Sequence, residues 1–127
     1  MKYLSDYTEE GISKALEEFG GFYAFSTKQF NEAKKEGVKY VSLGAGLICP
    51  EDNALQLVNA IMAVGNNGIQ QDLAENGKEA IIRRELYNHE AFYTGDIEST
   101  VDALQNYPIT EEEVRDVFRK ERVKAQA

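Results

Sequence analysis

The apolar positions change period several times along the chain, and each change predicts an element. Ile12, Ala15, Leu16 and Phe19 recur at helical spacing, and Asp6 followed three residues later by Glu9 has the form of a capping box. A first helix is therefore expected, ended by Gly20 and Gly21. Phe22 to Phe25 then reads as an aromatic-rich strand, and Ser26 with Gln29 opens a short helix that carries Phe30 and Ala33 and stops at Gly37. Val38 to Leu43 alternates, with Lys39, Val41 and Leu43 on one face and Val38, Tyr40 and Ser42 on the other. Leu47 to Cys49 is its natural partner across Gly44, Ala45 and Gly46, which makes a hairpin.

From Pro50 onward the pattern is helical. Pro50 is placed in the first turn of a helix, where its missing N–H does no harm, and Glu51 and Asp52 complement the dipole there. That helix runs through Leu55, Val58, Ile61 and Met62 to Gly65, with an apolar face broad enough for deep burial. Asn66, Asn67 and Gly68 predict a break before a second piece, Ile69 to Glu75. Asn76 and Gly77 predict another before Lys78 to Asn88. Thr94, Gly95 and Asp96 form a turn and cap for a helix through Val101 and Leu104, which Tyr107 and Pro108 end. The last helix opens at Thr110, with Glu113 completing a capping box, and Val114, Val117 and Phe118 form its buried stripe. The expected class is α+β: a small, mainly antiparallel sheet of about three strands (near 22–26, 38–43 and 47–49) packed with roughly five to seven helices, the C-terminal half being helical. No repeat or linker interrupts residues 1–127, so a single domain is expected.

Composition narrows the setting. With 127 residues, 43% of them hydrophobic, one core is expected without staples. Cys49 is the only cysteine and has no intramolecular partner, and Met1 to Glu10 turn polar too early for a secretory signal, so the expected compartment is the cytoplasm. No apolar run approaches the ~18–20 residues of a membrane span, so no membrane role is expected. The net charge of −8 opposes direct nucleic-acid binding and suits a basic protein partner. That charge is unevenly spread. Glu85 to Thr110 holds five acids and no Lys or Arg, and Cys49 to Gln71 holds two acids and again no cation, whereas Lys28, Lys34, Lys35 and Lys39 make the early strand region mildly basic.

Three groups of residues carry candidate chemistry. The glycines in Ser42 to Pro50 invite a phosphate-loop reading. The third glycine and directly following helix of a dinucleotide fingerprint are missing, which leaves a hairpin turn. Asn88-His-Glu-Ala-Phe-Tyr-Thr-Gly-Asp96 is the densest polar and aromatic segment. His89, Glu90 and Asp96 could be imagined around a metal, yet there is no second His and no ligand spacing. On a helix, His89 shares a face with Ile82 and Leu86, which suits a structural role at the helix end. Phe92 and Tyr93 would pack on a base, on a partner surface or as anchors of the next helix. Arg115, Arg119 and Arg122 form a basic stripe able to clamp phosphate or carboxylate, while Glu111 to Arg115 and Asp116 to Lys120 have the spacing of surface ion pairs. Arg83 and Arg84, with Glu79 ahead of them, read the same way. No hydrolase elbow, Walker loop, His-Glu-x-x-His or Cys-x-x-Cys is present, and only Cys49 with His89 could pair a nucleophile with a base. No catalytic residue, metal or cofactor is assigned, and an enzyme is disfavoured. The candidate binding residues are Asn88, His89, Phe92, Tyr93, Asp96, Arg115 and Arg119.

The stretches Gly21-Phe-Tyr-Ala-Phe-Ser26, Lys39-Tyr-Val-Ser-Leu-Gly-Ala-Gly-Leu-Ile-Cys-Pro50, Glu75-Asn-Gly-Lys78, Asn88-His-Glu90 and Tyr93-Thr-Gly-Asp96 together resemble a family of small bacteriophage and prophage proteins. The resemblance spans about Gly21 to Arg119. It implies a phage-borne accessory protein acting inside a bacterial host cell and brings no catalytic residues with it. Three functions are then expected in turn. The first is a non-enzymatic module that binds a host protein, such as a defence or nucleic-acid-processing factor, and inhibits it. The second is a binder of a small anionic, nucleotide-like ligand that stacks on Phe92 or Tyr93. The third is a metal-dependent hydrolase at His89, Glu90 and Asp96. Self-association into a homo-oligomer through the aromatic segment or the final helix is compatible with each.

Overall fold

In the computed structural model, which describes residues 1–126, α1 spans Leu4–Phe19. Tyr3 is its extended N-cap residue, and the Asp6 carboxylate accepts the Tyr3 N–H at 2.8 Å. Asp6 is thus the residue that reaches back rather than the cap, and the helix begins earlier than Asp6 and Glu9 suggested. The short strand β1 (Phe22–Tyr23) and helix α2 (Thr27–Ala33) follow, and the Ser26 hydroxyl accepts the Gln29 N–H at 3.2 Å as expected of a cap. Strands β2 (Tyr40–Gly44) and β3 (Leu47–Pro50) lead through a 3-10 turn, Glu51–Asn53, into α3 (Ala54–Asn88). The chain continues with α4 (Ala91–Thr94), α5 (Glu98–Ala103) and α6 (Glu111–Gln126). The class is α+β, with a three-stranded antiparallel sheet and a helical C-terminal half. No helix among the described residues is long and apolar enough to cross a membrane. Contacts divide the chain into two compact units, Met1–Gly68 and the residues from Ile69 onward.

In the first unit the sheet order is β1-β3-β2, so β3 is central. Its pairing sets Phe22 beside Ile48 and Ile48 beside Ser42, with Val41 opposite Cys49. Alternation along β3 then sends Leu47 and Cys49 to one face, where Cys49 joins Ala15 and Leu57 in the core. Burial raises the pKa of the Cys49 thiol. On the opposite face Phe22, Phe30 and Tyr40 pack with ring centroids 5.6 to 6.4 Å apart, and the Tyr40 hydroxyl accepts the Lys35 N–H at 2.9 Å, so α2 covers that side. The hairpin forms at the expected place through a two-residue loop, Ala45 (φ 52°) and Gly46 (φ 82°). Gly46 is required twice over, since a β-carbon there would also collide with the Phe25 ring.

Two expectations for the long helix need correction. Pro50 closes β3 with ψ 133° and precedes the 3-10 turn, so it caps the entry rather than occupying the first α-helical turn. Asn66, Asn67 and Gly68 do not break α3; within Ala54–Asn88 only Gly77 (φ 75°, ψ 160°) leaves the helical region. Gly68 serves packing instead. A β-carbon there would lie 2.5 Å from Thr8 Cγ2, and one on Gly11 would lie 2.9 Å from Val64 Cγ1. The two glycines let α1 and the first part of α3 approach more closely than side chains would allow.

In the second unit, Ile81, Ile82, Leu86, Ala91, Leu104 and Val114 are almost wholly buried. The capping box on α6 forms as the spacing predicts: the Thr110 hydroxyl accepts the Glu113 N–H at 3.1 Å and the Glu113 carboxylate accepts the Thr110 N–H at 2.9 Å. Inside this core lies a charge that the sequence reading put on the surface. Arg84 is buried and donates twice to Asp72, at 2.9 and 3.0 Å, while the Tyr107 hydroxyl donates to the same carboxylate at 2.5 Å and Asn76 donates at 2.8 Å. Burial alone pushes the Asp72 carboxyl up, but these hydrogen bonds and the Arg84 charge outweigh it and hold its pKa below the usual aspartate value. Burial, then the bond to Asp72, raises Tyr107. Arg83, by contrast, is only half-buried and comes within 3.8 Å of Glu121.

Candidate binding site in the second unit

The candidate site is built where α3 ends. Glu90 adopts the left-handed region (φ 55°), its N–H donates to Tyr87 O at 3.1 Å, and its carbonyl accepts from Tyr93 and Thr94, both at 3.0 Å. The chain turns sharply there and runs through α4, which Gly95 closes by donating to Ala91 O at 2.8 Å. Ala91 is fully buried and pins the turn from inside. Its neighbours consequently face outward: Phe92 is half-buried, and Tyr93 is 91% exposed.

Phe92 is the hinge of an aromatic row. Its ring centroid lies 4.8 Å from that of Tyr87, tilted by 42°, and 5.3 Å from that of Phe118, nearly parallel at 27°. The Arg122 guanidinium lies 5.3 Å from the Phe118 centroid on the far end. A groove of about 300 Å³ opens at one end of this row, lined by Tyr87, Glu90, Phe92 and Tyr93. A second groove, of about 220 Å³, is lined by Gly95, Ile97, Arg115, Phe118 and Arg119. The structure therefore brings the aromatic segment and the arginine stripe, which are separate in sequence, onto two grooves that share the Phe92–Phe118 stack.

The predicted residues divide between these places. Phe92 and Tyr93 line the first groove, Arg115 and Arg119 the second, and Asn88 and His89 line neither. Asp96 is engaged in capping, its carboxylate accepting the Glu98 N–H at 2.9 Å while its own N–H donates to the Thr94 hydroxyl at 3.1 Å. Arg115 pairs with Glu111 at 3.1 Å as expected, but Asp116 pairs with Arg119 at 2.6 Å rather than with Lys120. Both pairs are exposed and each holds its guanidinium through one nitrogen, so they restrain the arginines only weakly. His89, Glu90 and Asp96 do not gather: no group of three His, Cys, Asp or Glu able to hold a metal occurs among the described residues. In the first groove Tyr87 and Glu90 are the lining residues the binding prediction lacked, as Gly95, Ile97 and Phe118 are in the second; for the first pair a signal existed. Their signal was the i to i+3 spacing from Tyr87 to Glu90 at a helix end, immediately before Phe92 and Tyr93.

A family model matches residues 4–126, almost the entire chain. The chain belongs to DUF7659, a family of unknown function. No curated protein and no solved structure matches it. The DUF7659 match covers both compact units, so the first-unit sheet and the grooved second unit both lie within the family's span.

Proposed function

We propose that this chain is a phage- or prophage-borne accessory protein that acts in the bacterial cytoplasm as a non-enzymatic binding module, docking on a basic host protein and inhibiting it. The observation that carries this reading is Tyr93, 91% exposed beside the 62% exposed Tyr87 on a turn pinned by buried Ala91. Rigid aromatic side chains held in water are the residue type that anchors protein interfaces. They stand in the cation-free stretch from Glu85 to Thr110 of a protein of net charge −8, a surface suited to a positively charged partner. Chemistry finds less support. The one thiol, Cys49, is fully buried with its pKa raised, which is the opposite of an activated nucleophile.

A photo-crosslinking amino acid placed at Tyr93, and separately at the exposed Lys14, tests the reading in bacterial cells. A discrete heavier adduct from position 93 and none from position 14 is the expected result. Equal labelling from both positions, or none from either, overturns it. An adduct of twice the protein's mass would instead assign the surface to self-association.

The second groove favours one alternative, a small anionic, nucleotide-like ligand held by Arg115 and Arg119 against the apolar Ile97 and Phe118. A nucleotide at 100 times its Kd would stabilise the fold by about 2.7 kcal/mol. Thermal denaturation with nucleotides, repeated on the Arg115→Ala/Arg119→Ala variant, decides it: a shift lost in the variant supports the ligand, and no shift in either removes it.

A further inference from the structure

We propose that the groove between Tyr87, Glu90, Phe92 and Tyr93 is a receptor for one lysine side chain of the basic partner. The inference rests on the reading of this corner as a docking surface and names the chemistry that docks. Three of the four lining residues are aromatic and the fourth is a carboxylate. Ring faces carry negative potential and attract a cation held within about 6 Å of the centroid. Glu90 adds a negative charge among the lining residues, so an ammonium entering the groove has an anion beside the rings. Among the described residues no Lys or Arg lines the groove, and none occurs between Glu85 and Thr110 in the sequence. The other end of the same aromatic row already shows the contact, since Arg122 lies over Phe118.

The shape selects among cations. Tyr87 and Phe92 meet at 42° with centroids only 4.8 Å apart, so no cation enters between them and they offer no parallel faces to a flat guanidinium; a compact ammonium needs only their outer rim. The groove is also open, with Tyr93 91% and Tyr87 62% exposed. A free small molecule is normally buried over most of its surface in its site. This site can cover only the tip of a ligand, so the rest must be a macromolecule whose own surface closes over the rim. Glu90 itself supports the assignment. It holds a left-handed backbone conformation (φ 55°) that glycine would adopt with less strain, yet the residue there is a glutamate that lines a groove of rings.

The test is a two-dimensional NMR titration of the full chain with acetyl-Gly-Gly-Lys-Gly-Gly-amide, beside the same peptide carrying norleucine or arginine and beside tetramethylammonium chloride. The lysine peptide is expected to shift the resonances of Glu90, Phe92 and Tyr93 saturably and more tightly than the other three probes. Tyr93→Ala and Glu90→Gln should each weaken it about two- to fivefold. Glu90→Gly should weaken it similarly while raising the melting temperature, which a purely structural role for Glu90 would not produce. Equal binding of norleucine or arginine overturns the ammonium assignment, and tetramethylammonium binding as tightly as the peptide overturns the side-chain assignment. Unchanged affinity in the Glu90 variants overturns the role of the carboxylate. The two readings fail separately. Crosslinking at position 93 without a lysine response leaves docking and removes the receptor, and a lysine response without crosslinking leaves the receptor and removes the host partner.

Discussion

The two units of this protein solve the problem of a tight interior in opposite ways. In the first, closeness comes from omitted atoms: Gly11 and Gly68 bring two helices together where β-carbons would stand 2.9 and 2.5 Å from Val64 and Thr8. In the second, the interior holds a carboxylate that receives four hydrogen bonds, two from Arg84 and one each from Tyr107 and Asn76. The first arrangement is sensitive to volume and indifferent to pH. The second is sensitive to charge, because a buried ion is tolerable only while its partners remain.

Removing one partner breaks that contrast most forcefully. Arg84→Met leaves Asp72 buried and under-compensated, and urea denaturation should show a loss of about 3–5 kcal/mol. The double variant Asp72→Leu/Arg84→Met should lose markedly less than the single one; a double variant equal to the sum of the singles would mean the pair is not coupled.

Titration acts on the same carboxylate more gently. The folded pKa of Asp72 is depressed, so its stabilising contribution is full above the unfolded value of about 3.9 and disappears as pH falls through the folded pKa. The folded pKa of Tyr107 is raised, so its contribution is full below about 10 and is lost as pH rises toward the folded value. Stability measured against pH should therefore fall on both sides, and Tyr107→Phe should flatten the alkaline side and, by removing one of the bonds that depress Asp72, shrink the acid-side loss as well.

Volume supplies the next test, with the same substitution at two places in one helix. Gly68→Ala forces a methyl against Thr8 and is expected to cost about 1–2 kcal/mol, overpacking outweighing helix propensity. Gly65→Ala, where nothing lies within 4 Å, should instead stabilise by about 0.5–1 kcal/mol. Equal effects at both positions would end the close-approach account. An effect of similar size is expected at the α6 cap, where Thr110→Ala should cost about 1 kcal/mol in the same denaturation assay.

What could be read in the sequence was what is decided within a few residues. The Ala45-Gly46 turn, the Ser26 cap and the Thr110–Glu113 box each depend on neighbours one turn away, and all three form where the spacing placed them. Gly68 and Gly77 illustrate the limit. Each follows an asparagine and each reads as a break, and Gly77 is one, but Gly68 stays helical and is a glycine because Thr8 on another helix leaves no room for a β-carbon, which no local pattern contains. Arg83 and Arg84 are adjacent and alike in type, and only the distant Asp72 and Tyr107 make one of them interior. The site follows the same logic. Phe92 and Tyr93 stood out as rings beside a turn, whereas the burial of Ala91 that turns Tyr93 outward, and the return of α6 that sets Phe118 against Phe92, are tertiary facts.

Cys49 gives the molecule a clock. As the single thiol, sealed at the centre of β3, it is out of reach of a disulfide reagent in solution for as long as the first unit stays shut. Each modification event therefore records one opening of that unit, timed by an atom already in place.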